Sequence, residues 1–425
     1  MKSSLLLITL IIVFTNQFIP KELNSLLLAI IIFMIIPFDK ELNYNSTFKL
    51  LTPVILLLLI GLLSGPSYGN NVNRDYYRDI FYYSKVIIFF LGSVFATRYL
   101  QSFDVFLKYF AIFIVCSSVK HLLAIALNFH HFDSLYLYRN ATGHEDMNEV
   151  IFLSICLSRY FNKDFKSLIP EVKPFLIITI VLVSLSFLAY LSRTMIIDFL
   201  IITLFLSNKI NIREVFSKRN LHIFYTIIII TCLFSLVNLF VSLSSSNTLI
   251  DTIVEKFKGI PNEVFWNPKE NSSASIEDIQ NQWRGYEAYQ GIVKFESGNS
   301  LQKMFGYGFG TLVDLHLTIK LANADYEQIP VLHNGYVFLL VKSGIFGLLL
   351  YLLFLYKLGF LKINYTYAED LELFYFYQLL SALSIVSLFY TFANTGLFNP
   401  FNATVPIIFG FCWGNIQRRI AIKPD

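Results

Sequence analysis

Long apolar runs separated by short polar breaks make up most of the chain. Twelve of them read as membrane spans, at roughly 4–19, 23–38, 50–64, 80–98, 106–128, 148–162, 174–191, 193–208, 221–243, 334–357, 372–392 and 400–417. Helices are the expected form, because a helix satisfies its backbone N–H and C=O groups internally, as hydrocarbon demands. Several runs are shorter than the ~20 residues that a straight span takes, so tilts, breaks or local thinning are expected. The seventh and eighth are joined by almost nothing, "AYLSRTMIID". One long stretch breaks the rhythm. Residues 244–333 are polar, with "SSSN" at the start and "NPKENSSAS" in the middle. Residues 275–294 then place Ile276, Ile279, Trp283, Tyr286 and Ile292 near one helical face. The chain divides accordingly into spans one to nine (1–243), a long loop (244–333), and spans ten to twelve with a tail (334–425). No internal repeat or inverted symmetry relates the two halves.

Composition agrees with this pattern. Of 425 residues 55% are hydrophobic and 15% charged, and the mean hydropathy is +0.59. The fold class expected is an all-α polytopic membrane protein. Nucleic-acid binding is excluded as a function class, since the net charge is only +4 and no basic block stands apart from the apolar runs. The first run, "LLLITLIIVF", lacks a small-residue cleavage site and reads as a retained helix rather than a signal peptide. Cys116, Cys156, Cys232 and Cys412 all fall in apolar segments without metal-ligand spacing and read as small hydrophobes.

Charge orients the spans. With the N-terminus inside, cytoplasmic positions collect 18 of the 33 Lys and Arg residues, while the short opposite loops hold only Lys21, Arg74, Arg78, Arg139 and Arg193. The long loop is therefore external. On that side several cations sit at or below the expected membrane surface: Arg74 and Arg78 before the fourth span, Lys85 within it, Lys120 in the fifth, Arg139 in the next loop, Arg193 on the tight turn and Arg284 on the loop helix. Charges in a membrane are costly and mark sites or water-filled cavities. This group suits a polyanion held at the interface, a lipid-linked pyrophosphate, because guanidinium binds phosphate bidentately and stabilises a departing phosphate. Arg74, Arg78 and Arg139 are equally readable as solvated loop residues, and Lys85 and Lys120 as cations that snorkel. Lys342, about two turns into the tenth span, is expected to pair with Asp198. His333 stands where that span begins, and histidine can take a proton from an attacking hydroxyl near neutral pH. Glu145 and Asp146, beside His144, could bind sugar hydroxyls. "GYGFG" (306–310) reads as a flexible turn.

Three ordered motifs resemble one family. "HN" at 333–334, nine residues, then "GIFG" resembles the His-Asn-x9-Gly-x-x-Gly signature of the bacterial O-antigen ligase and O-antigen polymerase superfamily (WaaL and Wzy proteins). "LSRT" at 191–194 resembles that family's arginine turn, and "WRGYEAYQGI" followed by "FGYGFG" resembles its loop helix and glycine turn. The resemblance covers about 174–347 by motif and the whole chain by layout; the first third carries no matching motif. It implies a type C glycosyltransferase-like fold, with about twelve membrane helices and one long, partly helical periplasmic loop, in the bacterial inner membrane. It implies a glycan donor on undecaprenyl pyrophosphate, attacked at its anomeric carbon by an acceptor hydroxyl with inversion, and no metal or other cofactor. His333 would activate that hydroxyl, and Arg193 and Arg284 would hold the pyrophosphate. By their placement along the chain, not by the resemblance, Arg74, Arg78, Lys85, Lys120, Arg139, Glu145 and Asn334 are the candidate substrate-binding residues. A polymerase takes a second lipid-linked repeat unit as acceptor, together with a chain-length regulator as partner protein; a ligase takes lipid A–core. "HNGYVFLLVKSG" resembles polymerases more than the acidic "HNE" start of enteric ligases. A lipid-linked oligosaccharide flippase is the alternative from another class. It predicts short loops and paired half-repeats with broken helices, neither of which the sequence shows.

Overall fold

The computed structural model describes residues 21–35, 44–69, 72–97, 103–128, 142–143, 146–161, 174–190, 192–207, 279, 282–321, 324–360, 370–399 and 403–422. The expected spans at 4–19 and 221–243 and the first part of the long loop lie outside these residues, as do Arg139 and Glu145. The N-terminal helices are α1 (Lys21–Ile35), α2 (Tyr44–Ser67), α3 (Arg74–Ala96), α4 (Phe103–Leu127), α5 (Met147–Phe161), α6 (Pro174–Ala189) and α7 (Arg193–Leu206). The described part of the loop holds α8 (Trp283–Glu296), α9 (Ser300–Phe305) and an antiparallel hairpin of β1 (Val313–Leu321) and β2 (Ala324–Ile329). The C-terminal part holds α10 (Gly335–Gly359), α11 (Leu371–Ala393), a 3-10 turn at Gly396–Phe398 and α12 (Thr404–Ile422).

Among the described residues, five helices are long and apolar enough to cross a membrane: α2, α3, most of α4, α10 and α11. Parts of α1, α5, α6 and α7 are shorter apolar helices. The described chain is thus mostly helical, with helices of the length and apolarity that a membrane span takes, though not purely α, because the loop carries the hairpin. The outward faces are apolar, as lipid requires: α6 exposes Ile178, Leu185 and Leu188, and α10 exposes Leu349 and Leu353.

Two groups of helices share one core. In the first, α10 packs between α2 and α11, and α12 lies against α3 and α11. In the second, α4, α5 and α6 pack together, and α7 joins α5 to α11. The loop elements α8 and α9 both rest on α10.

The glycine turn "GYGFG" is not the loose turn expected. Gly306, Gly308 and Gly310 all have positive φ, near 80°, and the turn is sewn into the helices. α10 breaks at Gly344 (φ 67°, ψ −168°), so carbonyls of the turn before the break are free to accept from outside the helix. Tyr307 N–H donates to Val341 O at 2.8 Å and Gly308 N–H to Lys342 O at 3.1 Å. Phe309 N–H donates to Gly61 O on α2 at 2.9 Å. A Cβ on Gly308 would lie 1.9 Å from Gly65 N, and one on Gly344 would lie 2.4 Å from Met304 O. Only glycine permits both the backbone conformation and these approaches. Phe309 is fully buried, its ring seated against Gly61 and beside Tyr83. Gly344 is therefore a break that receives the loop. Gly347, three residues on, meets only Ser343 of its own helix.

Candidate functional site

His333 stands one residue outside α10, between two anchors. Asn334 caps the helix, its Oδ1 accepting from Tyr336 N–H at 3.1 Å and Val337 N–H at 3.2 Å. An asparagine at this position satisfies donors that the first turn leaves unpaired. On the other side Thr395 Oγ1 donates to Leu332 O at 3.0 Å. The backbone around the histidine is thus fixed from α10 and from the segment after α11.

The imidazole is held by a carboxylate absent from the sequence expectations. His333 Nδ1 lies 2.6 Å from Glu287 Oε2. The Glu287 side chain is 3% exposed and that of His333 44% exposed. A buried carboxylate is an acceptor, so Nδ1 carries the proton and Nε2 is left as the acceptor of the neutral ring. The pair is a positioned base: one end fixed by an anion, the other open on the loop side.

Glu287 is placed by α8. Gly291 lets that helix lie on Leu332 and Val337, where a Cβ would come within 2.6 and 2.5 Å of their side chains. Tyr286 donates its hydroxyl to Leu315 O of β1, and burial raises that hydroxyl above the usual phenol range, keeping it a donor. Arg284 is half-buried and sits one turn before Glu287, on the same side of α8. The structure therefore brings His333 and the helix of Arg284 together through Glu287. Arg193 is the first residue of α7, whose N-cap Ser192 accepts from Met195 N–H at 3.5 Å. α7 packs on α11, and α11 packs on α10.

The other expected residues are spread more widely. Arg74 is exposed at the start of α3. Arg78, one turn on, bonds Asp75 through Nη1 at 2.9 Å, while its Nε and Nη2 are shielded from solvent and have no hydrogen-bond partner among the described residues. Lys85 does not snorkel: it is fully buried and donates to the Asn399 carbonyl. Lys120 is exposed on α4. Asn334 uses its side-chain oxygen as the helix cap described above.

Lys342 pairs with Asp79 of α3, not with Asp198. Its Nζ lies 2.5 Å from Asp79 Oδ2 and 2.6 Å from Thr311 O, and Gly310 N–H donates to the same Oδ2 at 2.9 Å. Both side chains are sealed, at 1% and 0% exposure. A buried ion pair of this kind fixes geometry more than it adds stability. Here it ties α3, α10 and the glycine turn at one point.

Among the described residues, no group of three or more His, Cys, Asp or Glu side chains is placed to hold a metal ion. Fold and site together define a mostly helical protein with membrane-length apolar helices and a carboxylate-held histidine at its loop face. No protein-family model matches the chain, and no curated protein matches it.

Proposed function

We propose that the protein is a glycosyltransferase that polymerises lipid-linked polysaccharide repeat units, using a glycan on undecaprenyl pyrophosphate as donor. The observation that carries this reading is the Glu287–His333 pair. In the reaction, His333 Nε2 takes the proton of an acceptor hydroxyl as its oxygen attacks the anomeric carbon of the donor sugar. The bond from that carbon to the pyrophosphate oxygen breaks, and undecaprenyl pyrophosphate departs. Attack opposite the leaving group inverts the anomeric centre. The buried Glu287 carboxylate holds the imidazole in the required tautomer and stabilises the imidazolium that forms. Arg284 and Arg193 supply positive charge where the pyrophosphate charge develops, and Arg78 Nε and Nη2, without a hydrogen-bond partner among the described residues, suit a second phosphate contact.

The location of the pair supports the same reading. The donor's tail belongs in lipid and its sugar in water, so the reacting bond lies where a spanning helix meets a polar loop. His333 occupies such a junction, at the start of α10. The finer layout belongs to this proposal: twelve spans in a bacterial inner membrane, with α8, α9 and the hairpin facing the periplasm.

The test is a nucleotide-free assay with the purified protein in lipid nanodiscs. It receives undecaprenyl-pyrophosphate-linked repeat units, alone or with lipid A–core. A ladder of products from repeat units alone supports the proposal. A single shift that needs lipid A–core replaces it with a ligase. No product with either acceptor overturns it.

A further inference from the structure

Away from the loop face, α4, α5 and α6 enclose a polar chain that the proposed reaction does not use. Glu149 on α5 is fully buried, and its Oε1 accepts from Ser118 Oγ of α4 at 2.6 Å and from Ser186 Oγ of α6 at 2.7 Å. Ser186 has one proton and gives it to Glu149, so it accepts from His121 Nδ1 of α4, 2.8 Å away. His121 is 3% exposed, and its ring lies flat on Tyr190, with centroids 3.7 Å apart and planes at 8°.

Both ends of this chain are open. Glu149 Oε2 and His121 Nε2 are buried and have no hydrogen-bond partner among the described residues. The chain connects three mainly apolar helices. A buried carboxylate with one bare oxygen and no ion-pair partner among the described residues is a costly arrangement. Addition of one proton removes the cost, and the geometry offers it two homes.

We propose that His121, Ser186 and Glu149 form an intramembrane proton-binding relay. A proton taken up at His121 Nε2 makes an imidazolium, which the Glu149 carboxylate balances through Ser186. It reaches Glu149 by two linked transfers. The His121 Nδ1–H bond breaks as an Ser186 Oγ–H bond forms, while the original Ser186 Oγ–H bond breaks as a Glu149 Oε1–H bond forms. His121 is left neutral, protonated on Nε2, and Glu149 is left as the neutral acid. One positive charge has moved from α4 to α5, and no other group is oxidised, reduced or consumed.

The surrounding charges are few. Asp146, just before α5, accepts from Ser117 Oγ of α4 at 2.7 Å and from Asn148 N–H at 2.9 Å. On α4, Lys120 adjoins His121 but is exposed. α6 carries no charged residue, and α7, packed on α5, carries the buried Asp198. Further along α5, Ser158 Oγ lies 3.4 Å from the Tyr375 hydroxyl of α11. Tyr190, stacked on His121, is three residues before Arg193, the first residue of α7. The relay itself does not rest on the function proposed above.

The test is infrared difference spectroscopy of the full chain in nanodiscs, titrated with pH. The relay predicts a protonated-carboxyl stretching band that titrates together with imidazole ring bands, is lost in Glu149→Gln, and is uncoupled from the ring bands in Ser186→Ala. The serine variant keeps both titrating groups and removes only the hydroxyl between them. A carboxyl band that persists in Glu149→Gln overturns the proposal. So do carboxyl and imidazole signals that already titrate independently in the unaltered protein. A carboxylate signal that answers to sodium concentration and not to pH assigns the site to a metal cation instead, and also overturns it.

Discussion

Two basic side chains, His333 just before α10 and Lys342 within it, each face a carboxylate brought from elsewhere, and the two pairs differ in one respect. Lys342 and Asp79 are both sealed, at 1% and 0% exposure. His333 and Glu287 are sealed on the acid side only, at 44% and 3% exposure. In the first pair every near neighbour is fixed protein: the Thr311 carbonyl, the Gly310 amide, the glycine turn. In the second, the carboxylate is fixed and the base is presented. A closed pair cannot exchange a proton with a substrate and serves as a pin. A half-open pair can, because its buried anion sets the tautomer while the other ring nitrogen stays within reach. The same acid–base pairing thus holds the scaffold or performs chemistry according to which partner meets solvent.

The difference can be broken first at the open pair. His333→Ala removes the base, and turnover should fall by about 10²–10⁴-fold, the usual share of general-base catalysis. The thermal unfolding midpoint in nanodiscs should fall by less than at the closed pair, because the half-exposed histidine position lets solvent reach the Glu287 carboxylate that loses its partner. The closed pair should respond chiefly in stability. Lys342→Met leaves Asp79 buried and unpaired, at a cost of about 3–5 kcal/mol in stability. Replacing both partners together, Lys342→Met with Asp79→Leu, should recover much of that loss, which a double-mutant cycle on the unfolding midpoint would reveal.

A smaller effect sharpens the role of Glu287. Glu287→Gln keeps the shape but removes the charge, and a charge-assisted hydrogen bond contributes about 1.5–3 kcal/mol. Turnover should therefore drop roughly ten- to a hundredfold, with little change in the apparent affinity for lipid-linked donor. The most local effect belongs to the break in α10. Gly344→Ala places a Cβ at positive φ, a strain of roughly 1–2 kcal/mol, and against the Met304 carbonyl. It should loosen the glycine turn, read as faster hydrogen exchange at the Tyr307 and Gly308 amides.

The sequence marked the described helices and several of the residues proposed above to act. The apolar runs marked the described helices, since hydrocarbon tolerates few other backbones. His333, Arg284 and Arg193 stood out through motif order and position. Glu287 did not, because a single acid in a polar helix has no distinctive pattern. Its one available signal was its spacing of three residues from Arg284 on a helical segment, which puts both on one face. Asp79 was hidden for another reason: in "RDYYRDI" it reads as an interfacial charge, and only the tertiary fold carries it to Lys342. Asp198, an acid well inside a span, was the more obvious partner along the chain and the wrong one. The hairpin was legible, as Val313, Leu315, Leu317, Ile319 and Leu321 alternate with polar residues. A strand is simply not what an apolar helical chain leads one to look for.

The central claim, that His333 acts as the base, is tested most directly by separating binding from turnover. Purified His333→Ala protein in nanodiscs would be given undecaprenyl-pyrophosphate-linked repeat units, with donor binding and product ladder measured on the same preparation. The account predicts donor affinity within a few-fold of the unaltered protein and almost no ladder. A ladder formed at the unaltered rate by a folded, donor-binding His333→Ala protein would contradict it.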